Sequence, residues 1–495
     1  MTKKIFIEIP TWLSDAVMVT PAIENIINTY PKCRLTIFGS NVSTSLFKNH
    51  PNVKKIIIDT SKNSGNRYLN LRDFAKSVGK FDMAFSFRKN FTTAFLLWFI
   101  DAKNKFKYKR YDKRQKHQVV RYNDFVNKSL SITTYPNDLK VYLNQNIKNK
   151  TNSAKLKLGI NPGAAYGSAK RWYPEKFAKV AIELSKEYDI IIFGGSNETK
   201  MAKDIAKILK KSNVKNYTNL AGKTNIDQLI ENIYKLDLFI TNDNGPMHLA
   251  ASFKIPTVCI FGPTKYQETS QWNNPQSMLI KKEFKCMPCM KRECPLEDKE
   301  NHQCMKSITA NDILDTIYYN VQALDMSKKK LQKDFLSKYN IDKKTKIILF
   351  KANNFRQNGA VRFLRIISNL NETNFQAVIS GDSNSIKFAL NWAKEIGVEN
   401  KILFLENFAI KICDIFVLPT TNKKFANNVL KAMKERCVVF VPNTNEASTI
   451  VDVFATMQGA NDPNTSYKID ALLSNKNHLR HIKKENQEKA QYINN

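Results

Sequence analysis

Short apolar runs recur along the chain, and each gives way to a longer stretch with helical spacing. In residues 1–150 the runs KIFIEI, RLTIFG, KKIIID and FDMAFSF alternate with helical segments such as AIENIINTYP and LNLRDFAKSVGK. This alternation predicts βαβ units and a parallel sheet. The polar segment Leu143–Lys155 reads as a linker, and a second series follows: LKLGINPG, DIIIFGG, NYTNLAG, DLFITND and PTVCIFGP. The lysine-rich stretch Ser327–Lys346 introduces a third, with KIILFKANN, FQAVISGD, KILFLEN, DIFVLPT and CVVFVPN. A charged helical stretch from Asn477 reads as a solvated helix end.

The pattern therefore predicts an α/β protein of three Rossmann-like domains, over 1–150, 151–326 and 331–495. The first two, in tandem, place a cleft between them, and ligands of such sheets bind at the carboxyl ends of strands. The most apolar window, Phe91–Ile100, is about half the length needed to cross a bilayer and predicts a buried helix. Nothing at the start resembles a signal peptide, because a short strand broken by Glu8 and Pro10 follows Met1 directly. The chain reads as cytoplasmic.

The 495 residues carry a net charge of +34, with +12 from residues 326–495 and +22 from the rest. A spread positive field favours polyanions such as anionic headgroups or phosphorylated glycans. It also follows from a general richness in Lys and Asn. Nucleic acid is not the expected partner, since no binding module or aromatic-basic interleaving accompanies the charge. Cys33, Cys259, Cys413 and Cys437 stand singly in apolar or mixed runs and read as core residues. Cys286, Cys289, Cys294 and Cys304 cluster. In a reducing compartment such a cluster suggests a structural Zn²⁺ more than disulfides, though the spacing is short and irregular.

The candidate chemistry sits in turns after strands. In IPTWLSDAVMVTP (residues 9–21) a strand leaves through a turn holding Trp12, Ser14 and Asp15. Asp15 has two readings: a carboxylate capping the helix N-terminus, or a general base projecting over the sheet edge, walled by Trp12. In NPGAAYGSAKRW, loop N–H groups and Lys170 suit a diphosphate. Glu198 follows FGGSN at another strand end, where a carboxylate accepts bonds from ribose hydroxyls. In TNDNGPMHLAA, Asp243 ends a strand, Gly245 permits close backbone approach, and Pro246 starts a helix whose dipole favours negative charge.

PTWLSD, NPGAAYGSAKRW, NLAGKT, NDNGPMHLA and IFGPT, in this order, resemble the bacterial ADP-heptose:lipopolysaccharide heptosyltransferases, of the heptosyltransferase II type, over about residues 3–325. The resemblance implies a GT-B fold. It implies inverting transfer of L-glycero-D-manno-heptose from ADP-heptose to the inner core (heptose or Kdo) of lipopolysaccharide, with no catalytic metal or other cofactor. It makes Asp15 the general base, and it puts Lys170 on the diphosphate, Glu198 on the adenosine part and Asp243 on the heptose. Asn244, Gly245 and His248 share the last loop. Ser14 stands where the family usually has Gly, and Asn244 where Ser or Thr is usual. The cysteine cluster also recurs in this type. Trp12, Arg88 and Lys89, with the basic segment 103–116, are the expected acceptor side, suited to an anionic core or to the inner face of the cytoplasmic membrane.

Residues 347–455 resemble instead the C-terminal half of retaining GT-B glycosyltransferases, including the lipopolysaccharide core glucosyltransferases. Gln357 and Asn358 replace the family's basic pair, and Lys423 and Lys431 replace its two glutamates. A cation cannot accept the hydrogen bond of a sugar hydroxyl, so the expectation here is a catalytically inert module that docks a partner protein or membrane. The alternatives for the whole chain are a non-catalytic scaffold in core assembly and transfer of another ADP-sugar.

Overall fold

A computed structural model describes the chain except residues 1, 64, 146, 148–154, 319–320, 322–327, 353, 407 and 493–495. Most of the expected linker 143–155, and the start of the one at 327, lie outside the described residues. The chain forms two compact units, 1–313 and 314–495.

The first unit holds two parallel sheets. The first comprises β1 (Lys4–Glu8), β2 (Arg34–Gly39), β3 (Val53–Ile58), β4 (Lys80–Ser86) and β5 (Asp101–Lys107), in the order β3-β2-β1-β4-β5. The second comprises β6 (Leu156–Asn161), β7 (Tyr188–Ile192), β8 (Tyr217–Asn219), β9 (Leu238–Asn242), β10 (Thr257–Ile260) and β11 (Ser277–Ile280), in the order β11-β10-β9-β6-β7-β8. The strand order reverses beside β1 in the first sheet and between β6 and β9 in the second. A crevice opens at the carboxyl ends of strands at such a switch point. The Trp12 turn follows β1, the Lys170 loop follows β6 and Asp243 follows β9.

One apolar cluster spans both lobes, from Ile5, Ile7, Ala16 and Val17 to Phe239, Leu249 and Ala250, and a separate one around Phe6, Phe38 and Leu96 lies on the other face of the first sheet. The two lobes meet where the helix Leu13–Met18 packs on the helix Gly245–Ser252. Pro21 lies at the start of the next helix, Thr20–Thr29. A proline has no N–H to continue the preceding ladder, so the first helix ends after six residues.

The helix Phe91–Phe99 forms where expected but is not buried as expected: Thr93, Leu96 and Leu97 are covered, while Phe91 and Trp98 are exposed. A segment apolar on every side can hide only the half that faces its sheet. Among the described residues no helix is long and apolar enough to cross a membrane.

The second unit is a parallel sheet of β12 (Lys346–Lys351), β13 (Phe375–Ser380), β14 (Ile402–Leu405), β15 (Ile415–Val417), β16 (Val438–Pro442) and β17 (Thr456–Met457), in the order β14-β13-β12-β15-β16-β17. The C-terminal helix Lys476–Tyr492 is not the solvated end its charge suggests. Leu479, Ile482 and Ala490 enter the core, and Lys483 pairs with the buried Asp414. Its apolar positions lie on one face, so the charges fill only the other.

A Cβ built on Gly245 would stand 2.8 Å from Cβ of Leu13, an atom that cannot swing aside. Gly245→Ala should therefore destabilise the first unit by about 1–3 kcal/mol, the range for overpacking a tight contact, as measured by denaturant unfolding.

Candidate active site

Trp12 occupies the N-cap of the Leu13–Met18 helix with an extended backbone and no side-chain cap, and Asp15 lies in the first turn. The carboxylate of Asp15 does not cap the helix. Its Oδ1 accepts a hydrogen bond of 3.1 Å from the Tyr122 hydroxyl. Tyr122, on the helix Gln118–Leu130, is buried, with its ring edge-on to Phe87 and against Tyr108. Asp15 is half-buried and lines a cavity of about 390 Å³ together with Trp12, Arg88, Lys89, Arg110 and Arg121. Burial raises its pKa above the ordinary carboxylate value; the Tyr122 bond and the charge of Lys170 oppose that rise, and the charge of Asp243 adds to it. Groups of the second lobe thus act directly on the carboxyl of the first.

The cavity's three arginines face acids. Arg88 pairs at 3.0 Å with the buried Glu8, which also accepts from the Ser86 and Thr93 hydroxyls. Arg121 is buried and pairs at 2.8 Å with Glu268 of the second lobe, which Arg110 approaches at 3.5 Å. The Arg121 Nε has no partner among the described residues. The Arg121 hydrogen bond holds the Glu268 carboxyl below its ordinary pKa. Lys89 is exposed at the cavity rim.

On the second lobe, Lys170 Nζ lies 2.6 Å from Asp243 Oδ2 and over the Tyr166 ring at 4.7 Å. The same Asp243 oxygen accepts from the Thr264 hydroxyl at 2.7 Å. Asn244 is the N-cap of the helix that starts at Gly245, accepting from the Met247 N–H. Its amide nitrogen donates to the Gly163 carbonyl at 2.8 Å, which ties this loop to the one after β6. Glu198 accepts from the Gly195 N–H at 2.8 Å, and its carboxylate fills the space above Gly163 where a side chain would stand. His248 is fully buried. Neither ring nitrogen has a partner among the described residues, and burial pushes its pKa down to about 3. It is therefore a neutral imidazole near pH 7.

Cys286, Cys289, Cys294 and Cys304 line one small cavity with His302. Among the described residues no three His, Cys, Asp or Glu side chains are grouped to hold a metal ion. The four thiols converge on that cavity. Their loop also braces the Lys170 loop: the Arg292 carbonyl accepts from the Ala169 N–H at 3.0 Å, and the Tyr166 hydroxyl donates to the Met290 carbonyl at 2.7 Å.

Sequence reasoning missed Tyr122, Arg121 and Glu268, whose positions in the chain carry no motif. Thr264 had a signal, since it closes IFGPT. Asn242, whose amide nitrogen donates to the Pro162 carbonyl and whose oxygen accepts from the Trp172 N–H, sat unread inside TNDNG.

Residues 73–300 match the family described as glycosyltransferase family 9 (heptosyltransferase), and residues 332–489 match glycosyl transferases group 1. The chain is similar to lipooligosaccharide heptosyltransferase 2 of Campylobacter jejuni, 42% identical over 315 residues, which are 63% of this chain and 96% of that one. It is similar to lipooligosaccharide heptosyltransferase 2 of Haemophilus influenzae, 27% identical over 293 residues, covering 52% and 83%. Its fold is similar to that of the Escherichia coli ADP-heptose lps heptosyltransferase II, with a TM-score of 0.54, 21% identity, and coverage of 65% of this chain and 100% of that one.

The Lys170–Asp243 pair is nearly dry, so removing one partner strands the other. Lys170→Met should cost about 3 kcal/mol of stability, and Lys170→Met with Asp243→Asn should recover part of it, as a double-mutant cycle of urea unfolding would measure.

Proposed function

The chain belongs to the heptosyltransferases of glycosyltransferase family 9, and on that premise we propose that it transfers L-glycero-D-manno-heptose from ADP-heptose to an anionic inner-core sugar of lipopolysaccharide. Residues 1–150 serve as the acceptor lobe and 151–326 as the donor lobe. The observation that carries this reading is Asp15, a half-buried carboxylate on one lobe that feels the charges of Lys170 and Asp243 on the other.

A sugar hydroxyl is a poor nucleophile, and its attack on C1 of the heptose goes faster if its proton is taken as the bond forms. Asp15 accepts that proton. The C1–O bond to ADP breaks on the opposite face, which inverts the anomeric centre. The electron pair leaves with the diphosphate, and the positive groups that meet it are Lys170 and the helix N-terminus at Gly245. Asp243 holds heptose hydroxyls and Glu198 those of the ribose. The reading needs no metal for these steps. Arg88, Lys89, Arg110 and Arg121 suit carboxylates or phosphates on the acceptor, and Trp12 walls the entrance. The protein works at the inner face of the cytoplasmic membrane, where such acceptors are built.

Residues 331–495 take no part in transfer. Lys423 and Lys431, both exposed, stand where sugar-holding glutamates are expected, and neither can accept a hydroxyl hydrogen bond. This unit serves as a docking module.

Asp15→Asn should lower kcat by about 10²–10⁴-fold, measured as ADP release with a heptose-deficient core acceptor, while calorimetry shows ADP still bound. Full turnover in that variant would sink the base assignment. No turnover in the parent would favour a scaffold, and turnover only with another ADP-sugar would correct the donor. With a UDP-sugar or GDP-sugar in place of ADP-heptose, the same Asp15→Asn protein should show no transfer; transfer at the parent's rate would show that the second unit is active.

The pH profile has a fixed direction. Asp15 must be ionised to act, so kcat falls as pH drops through its raised pKa. The Tyr122 hydrogen bond favours the ionised form, and Tyr122→Phe should move the acid limb to higher pH. An unmoved limb would show that Tyr122 does not act on the base.

A further inference from the structure

The helix Phe91–Phe99 is apolar around its circumference, and one side has no cover. Thr93, Leu96 and Leu97 turn inward, and with Ile100 they pack on the first sheet. Phe91, Phe95 and Trp98 follow the i, i+4, i+7 spacing of a single face, opposite the buried one. Phe91 is 72% exposed and Trp98 79%. Tyr68 and Leu69, exposed on the helix Arg67–Ser77, widen this surface: the Tyr68 ring stands edge-on to Phe91 at 6.1 Å and to Phe95 at 5.1 Å.

Cations flank both ends. Lys105 donates from its ammonium to the Trp98 carbonyl at 2.9 Å, and the exposed Lys89 precedes the helix. Three carboxylates in this region are already paired: Asp73 with Arg72, Asp82 with Lys103 and Asp101 with Lys80. The cores of protein interfaces are depleted in lysine. Aromatic side chains bordered by lysines match a helix lying in the plane of an anionic bilayer, and nine residues are too few to span one.

The helix also begins at the active-site rim. The Asn90 side chain caps it, accepting from the Thr93 N–H at 3.0 Å, and Asn90 and Lys89 line the cavity that holds Asp15.

We propose that the aromatic face of Phe91, Phe95 and Trp98, with Tyr68 and Leu69, docks on an anionic lipid bilayer and presents membrane-borne acceptor to the Asp15 cavity. The second half of this statement rests on the transferase reading; the first does not.

The test uses the full chain, vesicles of phosphatidylglycerol with phosphatidylcholine, and vesicles of phosphatidylcholine alone. The parent should sediment with the anionic vesicles, more weakly with the neutral ones and less at high salt. Phe91→Ser with Trp98→Ser, both at solvent-facing positions, should weaken that binding by about tenfold or more. It should leave the circular dichroism spectrum and the rate on a deacylated, water-soluble acceptor unchanged, and slow the rate on acceptor embedded in vesicles. Equal vesicle binding by parent and variant would overturn the proposal, as would equal binding of the parent to neutral vesicles. A dimer in sedimentation velocity that the double substitution dissolves, without vesicle binding, would overturn it in favour of a protein contact. A parent inactive on the soluble acceptor would count against the transferase reading and leave the vesicle result standing.

Discussion

Leu13 and Gly245 touch because one of them has no side chain. The helix that carries Asp15 and the helix that follows Asp243 approach so closely that a single added carbon would collide with Cβ of Leu13. That approach lets carboxylates and a lysine from two separate sheets share one electrostatic environment. It also lets one apolar cluster run from the first lobe into the second. A larger residue at 245 would push the Leu13–Met18 helix, and Asp15 with it, away from Asp243.

Charge in the first unit is arranged in layers. Glu8 sits behind Arg88, Glu268 behind Arg121, and Lys170 against Asp243. Each pairing keeps a buried or half-buried ion from standing alone, which would cost several kcal/mol. Asp15 is treated differently. It accepts a hydrogen bond from the neutral hydroxyl of Tyr122, and its pKa is raised rather than lowered. A carboxylate in that setting exchanges its proton more readily than one locked in a salt bridge.

The second unit repeats the parallel-sheet plan with other priorities. Its most elaborate polar feature is Lys328, whose ammonium donates to the carbonyls of Cys413, Glu435 and Arg436. Those three carbonyls lie just before β15 and β16, at the edge opposite the one where ligands of such sheets bind. The care taken there secures the fold, while the ligand edge carries exposed lysines.

The succession of strands and helices was legible in the chain, because apolar runs between helical stretches leave little but a parallel sheet. So was the placement of Asp15, Lys170, Glu198 and Asp243, each of which follows a strand at the carboxyl edge of its sheet. The role of the cysteine loop was not: its bonds to the Lys170 loop join residues far apart in sequence. Tyr122, Arg121 and Glu268 were invisible for the same reason, being ordinary helix residues until packing sets Tyr122 and Arg121 at the Asp15 cavity and Glu268 against Arg121. Two apolar patterns were misleading alone. Phe91–Phe99 looked buried and is half exposed, while the charged stretch after Asn477 looked solvated and enters a core. Periodicity reports which residues share a face, but whether that face is covered depends on what the rest of the chain brings against it.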